Sequence, residues 1–225
     1  MDGSEINYVK SKDYWSNIPA SLNGMLGGFS SLTTLDVNDS NVFLKKLFKI
    51  ENGPSKNRAL DCGAGIGRIT EQLLSKHFEC IDLLEQDEKF LNEAKLKLDG
   101  TNAKNFYCVS LQDFSPDNDI KYDVIWIQWV LGYVTDNDLV EFLKKCCKSL
   151  NKNGLIVVKE NISSNEEGEI DTEDSSVTRS FGCFCYIFQK ANLMCVARRT
   201  QRNFPTGLYK VEMLALRPVD NLKQI

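Results

Sequence analysis

The chain has 225 residues, 42% hydrophobic and 26% charged, a composition that suits one α/β domain with an appendage and excludes a largely disordered chain. Its 27 Lys and Arg stand against 31 Asp and Glu, a net charge of −4. That balance speaks against a nucleic-acid partner, which demands a basic face, and lets an acidic mouth attract a cationic substrate. With one histidine, His77, neither a zinc site nor a Ser-His-Asp triad is expected, so no metal is assigned.

Eight cysteines without a C-x-x-C pair read as reduced, mostly buried thiols. The opening residues, MDGSEINYVKSKDYW, are polar, so a secretory segment is not expected. The longest nearly apolar run, Val124 to Val134, is interrupted by Gln128 and falls far short of the roughly 20 residues that span a bilayer. A cytoplasmic or nuclear protein without membrane contact is the resulting expectation.

In chain order, Ser11 to Ile18 and Asp36 to Ile50 carry helical apolar spacing, with Asp36 and Asn38 as plausible caps of the second. Between them, Asn23-Gly24-Met25-Leu26-Gly27-Gly28 is too rich in glycine for a helix and reads as a hinge or substrate-facing turn. A turn-rich linker, Glu51 to Asn57, then closes a helical cap or substrate lid covering residues 1–52. The remainder, 53–225, reads as one catalytic domain.

Within that domain the spacing predicts strands at Arg58–Cys62, Cys80–Glu85, Asn105–Val109, Val124–Ile127 and Leu155–Lys159. Helices are predicted at Arg68–Lys76, Glu88–Leu98, Asp136–Leu150 and Val177–Ala191. The alternation implies a parallel sheet with helices on both faces. Two last strand-like runs, Met194–Thr200 and Tyr209–Leu216, suggest a terminal hairpin that adds an antiparallel strand. The sum is an α/β, Rossmann-like, seven-stranded sheet of the class I methyltransferase kind.

The strand ending at Cys62 runs into Asp61-x-Gly63-x-Gly65-x-Gly67, and a helix follows at Arg68. Such glycines allow a tight turn and let a ligand lie on bare backbone. The spacing is one residue short of the G-x-G-x-x-G that cradles a pyrophosphate, which favours S-adenosylmethionine over NAD. Glu85 ends the next strand, where a carboxylate can accept from both ribose hydroxyls. After the third strand, Leu111 can pack on adenine and Gln112 can read its edge; Asp113 is either part of that contact or a turn residue.

Asp61-Cys-Gly-Ala-Gly-Ile-Gly-Arg-Ile-Thr70 and Val124-Ile-Trp-Ile-Gln-Trp129 together resemble the protein α-N-terminal methyltransferases, class I S-adenosylmethionine enzymes that act on N-terminal Xaa-Pro-Lys or Xaa-Pro-Arg. Tyr14-Trp15, Gly24 to Gly28, Leu111 to Phe114, Lys159-Glu-Asn161, Asp174-Ser-Ser-Val177 and Leu208-Tyr209 extend the likeness over nearly the whole chain. The resemblance implies cofactor contacts from Gly63, Arg68, Glu85, Gln86, Leu111, Gln112 and Gln128, with Arg68 on the methionine carboxylate. It implies that Asn161 holds the substrate α-amine, that Asp174 takes or biases its proton, and that Trp129 lies against the proline ring. Asp171 and Ser176 would receive the cationic third side chain, while Leu26, Gly27, Tyr209 and Trp15 would line the peptide groove. Where the family usually carries a histidine that shares the base role, this chain has Tyr133, a poor base near neutral pH. Either Asp174 suffices, or Tyr133 only positions water and amine.

Trp126, between Ile125 and Ile127, reads as core, and His77 as structural. Two other readings compete: a small-molecule amine methyltransferase on the same sheet, and a cofactor-binding protein without turnover.

Overall fold

The computed structural model describes residues 6–219, so the ends of the two expected segments (1–5 and 220–225) lie outside the described residues. Five apolar runs form parallel strands: β1 (Arg58–Cys62), β2 (Cys80–Glu85), β3 (Ala103–Cys108), β4 (Tyr122–Gln128) and β5 (Leu150–Ile162). The terminal hairpin of β8 (Leu193–Thr200) and β9 (Lys210–Pro218) joins them, β9 lying antiparallel to β5. The strand order β3-β2-β1-β4-β5-β9-β8 makes one seven-stranded sheet and reverses direction of travel at β1. Ligands in open α/β sheets bind at such a reversal, outside the carboxyl ends of the strands.

Side chains alternate across the sheet, so β4 feeds both faces. Ile125 and Ile127 pack with Phe142 and Phe184 from α6 (Asp136–Lys148) and α7 (Phe181–Lys190). Val124 and Trp126 pack on the other face with Phe43 of α3 (Thr33–Leu47) and Leu91 of α5 (Glu88–Lys97). Trp126 is completely buried, as a core residue, and donates its indole N–H to Gln128 Oε1 at 3.0 Å. His77 meets Asn41 through Nε2 at 2.7 Å, and all eight cysteines are free.

Five expectations need correction. The thiols are free but not mostly buried: only Cys62 and Cys146 are, while Cys108, Cys185 and Cys195 are exposed. The glycine-rich segment does contain a helix, α2 (Leu22–Met25), because Ser21 caps it through the Gly24 amide at 3.1 Å. Left-handed backbone begins only at Gly27 and Gly28. Asp36 does not cap α3, which starts three residues earlier; its carboxylate is completely buried. The helix from Arg68 stops as α4 at Gln72 and continues as a separate 3₁₀ turn, Leu74–Lys76. Val177 lies not in a helix but in β7 (Ser176–Thr178), paired with β6 (Glu169–Asp171); α7 waits for Ser180, whose hydroxyl caps the Cys183 amide.

The remaining helix, α1 (Tyr8–Asn17), lies across the top of the domain. Lys89 of α5 donates to the carbonyls of Ser16 and Ile18 at 2.7 and 2.6 Å, and the Tyr8 hydroxyl donates to Asp138 of α6 at 2.5 Å. At its start, the Asn7 amide donates to Ser175 at 2.8 Å, tying α1 to the β6–β7 turn.

Candidate functional site

A cleft of about 780 Å³ opens at the carboxyl ends of β1, β2 and β4. Its floor is the turn after β1, where Gly63, Gly65 and Gly67 all take positive φ values. A side chain at Gly63 would lie 2.6 Å from Val130, and one at Gly65 would lie 2.6 Å from the Met25 sulfur, so only glycine leaves backbone bare here. Around it stand Arg68, Glu85, Gln86, Gln128, Trp129, Tyr133, Trp15 and Phe90. A second cavity of about 390 Å³ shares Gly63, Glu85, Gln86, Val130 and Tyr133 with the first and adds Leu111 and Gln112. All seven expected cofactor residues therefore border one or other of two adjoining cavities.

Several of these groups are already engaged. Glu85 accepts the Gly65 amide on Oε2 and the Asp87 amide on Oε1, each at 2.9 Å; burial pushes its carboxyl up while those amides offset part of the rise. Asp61 receives both the amide and the hydroxyl of Thr70, at 3.0 and 2.7 Å, and burial pushes it up to about 6. Arg68 donates to Asp36 at 2.6 Å. Asp36 also takes the buried Lys159 ammonium and the Gln128 carboxamide. Burial pushes the Asp36 carboxyl up, but Lys159 and Arg68 outweigh it and hold the group below the usual carboxylate range. Burial lowers Lys159, against the pull of Asp36. Sequence reasoning missed this network, on which the Arg68 guanidinium rests.

The loop after β4 holds the aromatic side of the cleft. Trp129 takes a left-handed φ of 54°, and its indole N–H is buried with no partner among the described residues. Arg68 and Lys159 lie 5.6 and 5.9 Å from its ring centre, so a third cation on the ring would meet two like charges. Tyr133 stands edge-on to Trp15, with ring centres 5.7 Å apart, and donates its hydroxyl to Asp174 Oδ2 at 2.7 Å. Burial, then Asp174, pushes that phenol far above its ordinary value, so Tyr133 is a donor and not a base. The other oxygen, Asp174 Oδ1, accepts the Ser176 amide at 3.0 Å.

The remaining expected residues lie outside the cleft lining. Asn161 is the last residue but one of β5, its carboxamide without a hydrogen bond among the described residues. Asp171 is exposed and accepts the Glu173 amide, and Ser176 pairs with it across β6–β7. Tyr209 donates to Glu169 at 2.8 Å. Leu26 and Gly27 sit just past Met25, which reaches the cleft in their stead. Burial, and then the charges of Asp174, Glu173 and Asp171, raise the Tyr14 phenol, the mark of an acidic lip beside α1.

Two charged groups to which the sequence assigned no role, Glu160 of the Lys159-Glu-Asn161 element and Arg179, pin the Trp129–Val134 loop. Glu160 Oε1 accepts the amides of Val130 and Leu131, both at 2.9 Å. Arg179 donates to the carbonyls of Leu131 and Val134 at 2.7 and 2.6 Å and to Asp136 at 2.8 Å. Burial pushes the Glu160 carboxyl from 4.5 up to about 7, with the two loop amides and Arg179 opposing. An acid raised by folding favours the protonated folded state: its contribution is full below about 4.5 and is lost as pH rises through about 7. Glu160→Gln is therefore expected to flatten the fall of urea-unfolding free energy across that window, by at most ~1.4 kcal/mol per pH unit. An unchanged slope would assign the titration elsewhere, Asp61 being next in line.

The fit to S-adenosylmethionine is good on the structure's own terms. Bare glycine backbone, an arginine, a strand-end carboxylate and a tryptophan whose buried indole N–H has no partner among the described residues line one cleft. Comparison with known proteins agrees. Residues 3–217 match a family model described as AdoMet dependent proline di-methyltransferase. N-terminal Xaa-Pro-Lys N-methyltransferase 1 from Homo sapiens is 45% identical over 216 residues, covering 93% of this chain and 95% of that one. Alpha N-terminal protein methyltransferase 1 from Drosophila melanogaster is 42% identical over 217 residues, covering 94% and 76%. Among solved structures, a SAM-dependent methyltransferase from Leishmania major superposes with a TM-score of 0.88 at 39% identity, over 93% of this chain and 82% of that one. A phosphoethanolamine N-methyltransferase from Haemonchus contortus, 18% identical with a TM-score of 0.69, shares the fold over 94% of this chain and 49% of its own.

Proposed function

The chain belongs to the AdoMet-dependent proline di-methyltransferase family, and from that we infer that it methylates the α-amine of proteins beginning Xaa-Pro-Lys or Xaa-Pro-Arg after Met removal. The observation that carries this reading is the joining, in one cleft, of a bare-glycine floor and an aromatic slot ending at the Tyr133–Asp174 pair. A small-molecule enzyme would need no acidic lip beside that slot.

Bound S-adenosylmethionine would supply a sulfonium methyl carbon that an amine lone pair attacks, with S-adenosylhomocysteine leaving as the neutral thioether. The chain's task is to present that lone pair. Asn161, with its carboxamide free near the end of β5, holds the α-amine, and Asp174 takes its proton. Tyr133 fixes the Asp174 carboxylate through Oδ2 and leaves proton acceptance to it. A free α-amine has an ordinary pKa of about 7.7–8.0, so roughly a fifth or less is neutral at pH 7, and positioning contributes more than base strength. Trp129 packs on the second-position proline, and its free N–H suits a substrate carbonyl. Asp171 and Ser176 face the cationic third side chain, and Trp15, Leu26, Gly27 and Tyr209 border the peptide. Of the segment up to residue 52, only the first part acts as a lid, α1 roofing the cleft, whereas α3 is built into the sheet's core through Phe43, Leu44 and Leu47.

Mass spectrometry of a Ser-Pro-Lys hexapeptide, incubated with protein and S-adenosylmethionine, tests this directly. Mass gains of one to three methyls are expected on the free peptide and none on its N-acetylated copy. Methylation of both would move the target to lysine and remove the roles of Asn161 and Asp174.

A further inference from the structure

α1 brings one polar group to the cofactor end of the cleft that no sequence motif marks. Ser11 is 2% exposed, and its hydroxyl is buried with no hydrogen-bond partner among the described residues. A serine inside a helix ordinarily turns its hydroxyl back to the carbonyl four residues earlier. Here that carbonyl, of Asn7, accepts only the Ser11 amide, at 3.0 Å. Ser11 instead lines the second cavity together with Leu111 and Gln112. Tyr8, its neighbour on the same wall, has its hydroxyl committed to Asp138 and Thr135.

A buried hydroxyl without a partner costs free energy in the ligand-free protein, and a polar ligand atom removes that cost. The hydroxyl both donates and accepts, and an adenine edge offers amino hydrogens beside ring-nitrogen acceptors. We propose that Ser11 is a cofactor contact: its hydroxyl bonds the nucleoside half of S-adenosylmethionine, making α1 a wall of the cofactor site as well as a roof over the peptide. This rests on the methyltransferase reading above. It also gives the N-terminal helix a direct stake in cofactor affinity, so cofactor and peptide bind under one shared roof.

Calorimetry on the full chain with S-adenosylhomocysteine and with 5′-methylthioadenosine, which lacks the amino-acid half, provides the test. Ser11→Ala is expected to weaken both by the same factor, about 3- to 10-fold, the worth of one neutral hydrogen bond. The same variant, without ligand, is expected to melt at or above the wild-type temperature, because it removes a group with no partner. A purely structural serine would instead lower the melting temperature. Unchanged affinity, or loss for S-adenosylhomocysteine alone, overturns the assignment. A wild-type chain that binds neither compound overturns the methyltransferase reading along with it.

Discussion

Asp174→Asn is expected to lower kcat/KM on a Ser-Pro-Lys peptide by about 10²–10⁴-fold, more through the lost charged anchor that positions the amine than through lost proton acceptance. The carboxamide oxygen can still accept the Ser176 amide, and its NH2 can donate to the Tyr133 oxygen once that hydroxyl turns away, so the turn keeps its shape while its capacity to accept a proton is gone. Cofactor affinity by calorimetry should stay within about twofold. The pH profile carries a second signature. Tyr133 is a donor pushed far above its ordinary pKa by burial and Asp174, and the only histidine, His77, is bonded to Asn41 away from the cleft. The wild-type kcat/KM should therefore rise along a single limb near the α-amine value of about 8, with no inflection near the histidine value of about 6.5. Tyr133→Phe keeps the ring against Trp15 and should cost much less than Asp174→Asn. A Phe variant as dead as the Asn variant would make the phenol, and not the carboxylate, the acceptor's essential part.

Asp36→Asn is expected to cost about 3–5 kcal/mol of unfolding free energy, because it leaves the Lys159 ammonium buried without its counter-charge. In a chain of this size that is a fall of about 10 °C in the melting temperature. Lys159 keeps Ser40 and Gln201 at 2.8 and 2.6 Å, which limits the loss but supplies no negative charge. Adding Lys159→Met to the Asn variant should recover part of the stability, since removing both charges of a buried pair costs less than removing one. Thermal unfolding of the two single variants and the double variant closes this cycle. A single-variant loss below about 1 kcal/mol would mean that Lys159 sheds its proton and needs no partner.

The sheet was legible because its signals are local. Arg58–Cys62 and Cys80–Glu85 are apolar runs closed by turn residues, and both strands have those bounds. Glycines with a strand before and a helix after give the cofactor turn in the same way. Asp36 reads as a cap because an acid near a helix start looks the same whether it caps or is buried. What decides the matter is Lys159, 123 residues away. The three-residue strands β6 and β7 are too short for any periodicity, so Val177 was drawn into the helix that follows. Ser11, Met25, Phe90 and Val130 line the cleft through chain crossings that leave no trace in spacing. Glu160 follows an apolar strand and precedes Asn161, but nothing local says that its carboxylate catches two distant amides.

β5 places Lys159, Glu160 and Asn161 in direct succession, and successive side chains on a strand point to opposite faces. Lys159 reaches α3 on one face, Glu160 reaches the Trp129–Val134 loop on the other, and Asn161 returns to the first. Support of Arg68, aim of the aromatic slot and the proposed grip on the amine are thus written in three adjacent letters, read in alternating directions. Side chains here can be exchanged one at a time, but the strand cannot gain or lose a residue, since a slip of one would turn all three tasks to the wrong side together. In this enzyme the catalytic centre is spelled by phase as much as by residue type.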